Sequence, residues 1–146
     1  ALLEAVGLGE FLEYLPTELS GGMKQRVSVA RALSVDADII ILDEAFKSQD
    51  EATREILYEI IKKESKEKLV IMVTHDIDEA ILLSDKIVMM TAHPGQVYKE
   101  IDVPFARPRN RAQLVQTKEY NQFRNKLLAM FYSDIVSKIG GDEVVL

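Results

Sequence analysis

Two kinds of apolar spacing alternate along the chain, runs of consecutive apolar residues and stretches where apolar residues recur every three or four positions. Ala1 to Val6 has helical spacing and stops at Gly7-Leu8-Gly9, after which a loop passes Pro16. In "ELSGGMKQRVSVARAL", Glu18 to Leu33, Ser20 is the expected N-cap, and Met23, Val27 and Ala30 fall on one helix face. "DADIIILDEA" follows, with four large apolar residues from Ile39 to Leu42 between acids. That run predicts a strand buried on both faces, the parallel-sheet pattern. Glu51 to Glu64 reads as an amphipathic helix carrying Ile56, Leu57, Ile60 and Ile61, and "KLVIMVTHD" repeats the buried-strand form. Strand, helix, strand predicts a right-handed βαβ crossover. Asp78 to Leu83 is a short helix, and "KIVMM" and "QVYKEIDV" flank "TAHPG" as two strands around a turn. Beyond "PFARPRNR", Gln113 to Ile139 predicts one or two helices. Phe123, Leu127, Met130 and Phe131 face a core there, and Gly140-Gly141 makes a weak ending. The expected fold is α/β, with mainly parallel buried strands flanked by helices, a β-hairpin and a helical C-terminal tail. No linker or repeat interrupts it, so one domain is expected.

Composition narrows the classes. The 146 residues are 47% hydrophobic and 29% charged with 4 prolines, which excludes a disordered chain. A net charge of −6 argues against a general nucleic-acid or anionic-membrane binder, because both need a basic surface. Zero cysteines exclude disulfides and thiolate metal sites, and two histidines make a zinc site a poor expectation. The apolar runs fall far below the ~20 residues that span a bilayer. Acidic residues and the lack of a basic leader in "ALLEAVGLGEFLEYL" do not fit a secretion signal.

In an open parallel sheet, ligands gather at the carboxyl ends of the strands, so Asp43-Glu44 and Thr74-His75-Asp76 should lie side by side. A carboxylate directly after a buried strand can hold magnesium, often through water. The next carboxylate is then free to orient an attacking water, and a histidine at the neighbouring strand end can bond a terminal phosphate. Glycine inside a helix costs about 1 kcal/mol relative to alanine, so Gly21-Gly22 at a first turn implies a close approach to the backbone. A phosphate would suit bare N–H groups at the positive end of the helix, with the Ser20 hydroxyl as a further donor. Singly, each feature has a plain reading: a loop, a solvated strand exit, a hydrogen-bonding histidine. Lys24, Arg26 and Arg31 would likewise be a solvated helix face. Their joint order is what points to nucleotide chemistry.

These residues resemble the nucleotide-binding subunit of ATP-binding cassette (ABC) transporters. "LSGGM", Leu19 to Met23, with its helix resembles the family signature; "IIILDE" is similar to the Walker B strand, "FKSQD" to the D-loop, and "VTHD" to the switch-histidine loop. The fold implied is a partial P-loop NTPase of the ABC type. Residues 1–34 would be the signature part of its helical subdomain, 35–106 the core from Walker B to the hairpin, and 107–146 the tail. The resemblance implies Asp43 for magnesium, Glu44 as general base or water-orienting residue, and His75 on the γ-phosphate. It implies that Ser20, Gly21, Gly22 and Met23, with Asp50 of the D-loop, contact nucleotide across a head-to-tail dimer. ATP and Mg2+ are the implied cofactors.

"LLSDKIVMMTAHPGQVYKEIDVPFARPRNR" is further similar to the branch that imports nitrate, sulfonates and taurine. A transmembrane permease partner and a cytoplasmic place on the inner face of the cell membrane are implied. The sequence also departs from the family. It contains no GxxxxGK[ST] loop, has Ala45 where proline is usual, and Ser48-Gln49 where glycine or alanine and leucine are common. Because it also begins at Ala1, it is read as the later half of such a domain. Open strand edges and apolar surface should then favour self-association. The expected function is ATP binding and hydrolysis in an importer. The alternative is a non-catalytic interaction piece offering the signature to an intact subunit; a DNA-maintenance ATPase ranks last, given the acidic charge and uninterrupted signature helix.

Overall fold

A computed structural model describes residues 2–91 and 94–139, the stretch 133–139 as helical backbone only. The chain divides into two compact units, Ala1–His75 and Asp76–Leu146.

The first unit contains α1 (Leu2–Ala5), a 3-10 turn (Gly9–Phe11), α2 (Gly21–Ser34), β1 (Ile39–Asp43), α3 (Glu51–Glu64) and β2 (Leu69–Val73). β1 and β2 pair in parallel, from Ile39 opposite Leu69 to Asp43 opposite Val73, with α3 as the connection between them. The expected burial on both faces does not hold. Ile40 and Leu42 are buried, but Ile39 and Ile41 are 53% and 66% exposed, and Leu69, Ile71 and Val73 are exposed as well. A continuous apolar run shows that a strand can be covered twice; the layers that pack on it decide whether it is. Here α2 packs on β1, and the core gathers Val29, Ala30, Leu33, Leu57 and Ile61, with Phe46 edge-on to Tyr58 at 5.0 Å.

Two helical faces also differ from expectation. In α2 the buried residues are Val29, Ala30 and Leu33, whereas Met23 and Val27 are half-buried, so its N-terminal turn stands clear of the core. α3 buries Leu57, Tyr58 and Ile61 and leaves Ile56 exposed, a stripe shifted toward Tyr58 by its contact with Phe46. Arg26 is not on a solvated face. Its Nη1 donates to the carbonyls of Val6 and Gly7, 3.2 Å each, where Gly7 turns the chain at φ 71°.

The second unit contains α4 (Ile77–Leu83), β3 (Lys86–Met90), β4 (Val97–Asp102), α5 (Arg111–Leu114) and α6 (Lys118–Ile139). β3 and β4 form the expected hairpin, antiparallel with an irregularity between Met89 and Met90. α4 packs on α6. Of the tail residues expected in the core, Leu127 is buried, Phe123 and Met130 are half-buried, and Phe131 is exposed. Tyr120 fills the core in its place at 1% exposure. The ending at Gly140-Gly141 lies outside the described residues. Arg109, from the proline-arginine stretch, is buried and donates to the carbonyls of Phe105 and Ile81. Among the described residues no helix is long and apolar enough to cross a membrane.

Candidate functional site

Parallel register brings the carboxyl ends of β1 and β2 to the same level, as the strand-end argument requires. The Glu44 N–H donates to the Val73 carbonyl at 2.9 Å, one step past the ladder. Glu44 itself sits at φ 48°, a left-handed conformation that few residues other than glycine adopt. Two contacts hold it there. Gln25 Nε2 donates to its carbonyl at 2.9 Å, and its carboxylate lies 2.7 Å from His75 Nδ1. Because a carboxylate only accepts, Nδ1 is the protonated nitrogen of this pair, and Nε2 is left as an acceptor on the neutral ring. The His75 side chain is 67% exposed and that of Glu44 32%. Asp76, the third strand-end residue, is occupied as the N-cap of α4, accepting from the N–H groups of Asp78 and Glu79.

The glycine turn opens α2 beside these strand ends. Ser20 Oγ accepts from Met23 N at 3.2 Å and the Ser20 carbonyl from Lys24 N at 2.9 Å. The N–H groups of Gly21 and Gly22 have no hydrogen-bond partner among the described residues. The two glycines serve different ends. A methyl group on Gly21 would meet open space, whereas one on Gly22 would sit 3.3 Å from the Ser48 carbonyl and 3.4 Å from Gln49 Nε2. At Gly22 the chain itself approaches closely, whereas the space beside Gly21 is open. Gln49 Nε2 also donates to the Gly22 carbonyl at 3.0 Å, and Ser48 just before it has φ 65°.

A cavity of about 410 Å3 is lined by Gly21, Gln25, Asp43, Glu44, Lys47 and Ser48. Of the residues singled out in the sequence, it gathers Gly21, Asp43 and Glu44, with His75 bonded to Glu44 and Ser20 and Gly22 flanking Gly21. Met23 is half-buried in α2. Asp50 caps α3, with Thr53 N at 2.9 Å and Thr53 Oγ1 at 2.7 Å, and those bonds, the backbone one first, lower its pKa. Gln25, Lys47, Ser48 and Gln49 were not singled out as site members. Gln25 lies one turn after Gly21 on α2, a signal that was legible; the roles of Ser48 and Gln49 depend on tertiary contact. Amide donors at the positive end of a helix facing two carboxylates suit an anion that arrives with a cation. Among the described residues no three histidine or carboxylate side chains gather to ligate a metal, so a cation here would take one carboxylate, Asp43, together with water and ligand oxygens.

The family model described as ABC transporter matches residues 1–47. The nitrate import ATP-binding protein NrtD of Synechococcus elongatus is 46% identical over 133 residues, 89% of this chain and 48% of that protein. The bicarbonate transport ATP-binding protein CmpD of the same species is 45% identical over 134 residues, 90% of this chain and 48% of that one. Among solved structures, the ATP-binding cassette MJ0796, a dimer in a post-hydrolysis state bound to ADP and Pi, superposes with a TM-score of 0.65 at 33% identity. That match covers 72% of this chain and 45% of the cassette. The chain spans about half the length of the curated relatives it matches. The partial P-loop NTPase fold of the ABC type is thus the one observed, and the chain belongs to the ABC transporter family of ATP-binding domains.

Proposed function

We propose that this chain is the later part of the ATP-binding, ATP-hydrolysing subunit of an importer for a small anion such as nitrate or bicarbonate. The observation that carries the reading is the Glu44–His75 pair, 2.7 Å apart at the ends of two parallel strands, beside a cavity that reaches Gly21. Asp43 would hold Mg2+ and Glu44 would draw the proton from the attacking water. His75, held by Glu44 through Nδ1, would donate from Nε2 to a γ-phosphate oxygen when both ring nitrogens carry protons, because phosphate oxygens only accept. The proton taken from the water would rest on the Glu44 carboxyl, which the Nδ1–H of His75 holds in place. Magnesium, when bound, supplies charge neutralisation on the phosphate oxygens.

The unpartnered N–H groups of Gly21 and Gly22, with Ser20 and Met23, would meet the triphosphate of an opposing subunit in a head-to-tail dimer. Asp50 would serve that interface while capping α3. Residues 1–34, 35–106 and 107–146 are the signature, Walker B-to-hairpin and tail portions of one nucleotide-binding domain. A permease subunit would anchor the assembly on the inner face of the membrane. The solute assignment rests on the names of the relatives.

The test mixes the chain with an intact relative such as NrtD and follows ATP turnover. A change that is lost when Ser20 is replaced by Ala supports the reading. Increased turnover indicates a catalytic half-site, suppression an interaction piece that only offers its signature, and unchanged turnover contradicts both.

A further inference from the structure

Gln49 is one of few buried polar residues among those described, at 9% exposure, and it stands where the family resemblance leads one to expect leucine. A leucine would fill the same space without a donor. Gln49 instead sends Nε2 to the Gly22 carbonyl, 27 positions earlier, at 3.0 Å. A helical carbonyl keeps a second lone pair, so the contact adds to the ladder of α2 without replacing a rung. It also fixes a plane that matters. The Gly22 carbonyl and the Met23 N–H belong to one rigid peptide unit, and that N–H makes the Ser20 cap. One turn on, Gln25 reaches the opposite way, from α2 to the Glu44 carbonyl at 2.9 Å. Two glutamine amides therefore cross between the glycine turn and the segment 44–49, while the Ser48 carbonyl packs where Gly22 lacks a side chain.

We propose that Gln49 is a positioning residue: by holding the Gly22 carbonyl it locks the first turn of α2 to the loop after β1, so that the Gly21 and Gly22 amides keep a fixed direction. The proposal rests on the reading above, that these amides meet a nucleotide phosphate. Glycine is the residue least able to hold a direction by itself. An amide clasp at the second of two glycines supplies that order from outside the helix.

The test uses the 146-residue chain with Gln49→Leu, which keeps an apolar filling, and Gln49→Glu, which keeps the shape but puts an acceptor against the carbonyl. Amide hydrogen exchange of Met23, Arg26 and Gln49, followed by NMR without nucleotide, should quicken about two- to tenfold in both variants, the range set by one net hydrogen bond. In the mixed assay with an intact relative, the KM for Mg-ATP should rise by a similar factor with kcat unchanged. A general loss of structure would instead lower kcat by reducing the amount of active protein. Unaltered exchange in both variants overturns the clasp, and faster exchange with an unaltered KM overturns its positioning role. If the parent chain has no effect on turnover at all, the functional reading has failed, and the clasp stands or falls on the exchange data.

Discussion

Each unit contains a carboxylate with a titratable partner 2.7 Å away, and the two are built for opposite ends. In the first, Glu44 meets His75 on a side chain that is 67% exposed, at a strained backbone position, beside a cavity. In the second, Asp78 Oδ1 accepts from both the Tyr120 hydroxyl and Arg124 Nε at 2.7 Å, with Tyr120 1% exposed and the cluster joining α4 to α6. Burial alone would raise the pKa of Asp78, but the bonds from Arg124 and Tyr120 outweigh it and leave it lowered. Burial, followed by the bond to Asp78, pushes Tyr120 upward. The two carboxylates are about equally exposed, 33% for Asp78 and 32% for Glu44; the difference lies in their partners, a buried tyrosine and an arginine on one and an open histidine on the other.

Substitutions at the two clusters should therefore separate turnover from stability. The largest expected effect is on turnover. His75→Ala should lower the ATP turnover attributable to this chain in the mixed assay by about 10²-fold, the usual contribution of a positioned acid–base group, and shift unfolding by less than about 0.5 kcal/mol, as befits an exposed residue. Asp78→Ala should do the reverse. It leaves the Tyr120 hydroxyl and Arg124 without their acceptor and should cost about 2 kcal/mol in urea unfolding, with catalysis in the remaining folded protein intact.

Tyr120→Phe removes only the hydroxyl and should cost about 1 kcal/mol. The pH dependence of unfolding gives the same contrast. Asp78 has a lowered pKa in the folded state, so its contribution is fully present above its unfolded value of about 3.9 and is lost as pH falls through the folded one. Tyr120 is raised, so its contribution is present below the unfolded value of about 10 and is lost as pH rises toward the folded one. Urea midpoints should therefore decline at both extremes, and Tyr120→Phe should remove the alkaline part.

The smallest effect concerns the glycines. Gly21→Ala should stabilise the chain by about 0.5 kcal/mol, because the helix gains and the methyl group meets open space. Gly22→Ala should gain nothing, since the methyl group would press on the Ser48 carbonyl. Equal gains at both positions would contradict the distinction between them.

Much of this was legible in the sequence where the signal was local. The Ser20 cap, the α3 crossover, the hairpin and the meeting of Glu44 with the His75 loop all follow from caps, periodicity and the geometry of parallel strands. What was not legible depended on partners distant in sequence. Apolar runs at Ile39–Leu42 and Leu69–Val73 announced two covered faces, but composition cannot count the layers that arrive. Tyr120 and Arg109 look like surface residues until Asp78 and the carbonyls of α4 are brought to them. The glycine pair looked like one feature with one purpose, and only the return of Ser48 and Gln49 separates the two.

The central claim, that Glu44 is the reactive carboxylate of this chain, is tested most directly by Glu44→Gln, which keeps the shape of the side chain and removes its basicity. Wild-type and variant chains are each mixed with the same intact relative, and heats of Mg-ATP binding are measured alongside turnover. The account predicts equal binding, with the turnover attributable to this chain lost in the variant. Turnover at the wild-type rate in Glu44→Gln would contradict it.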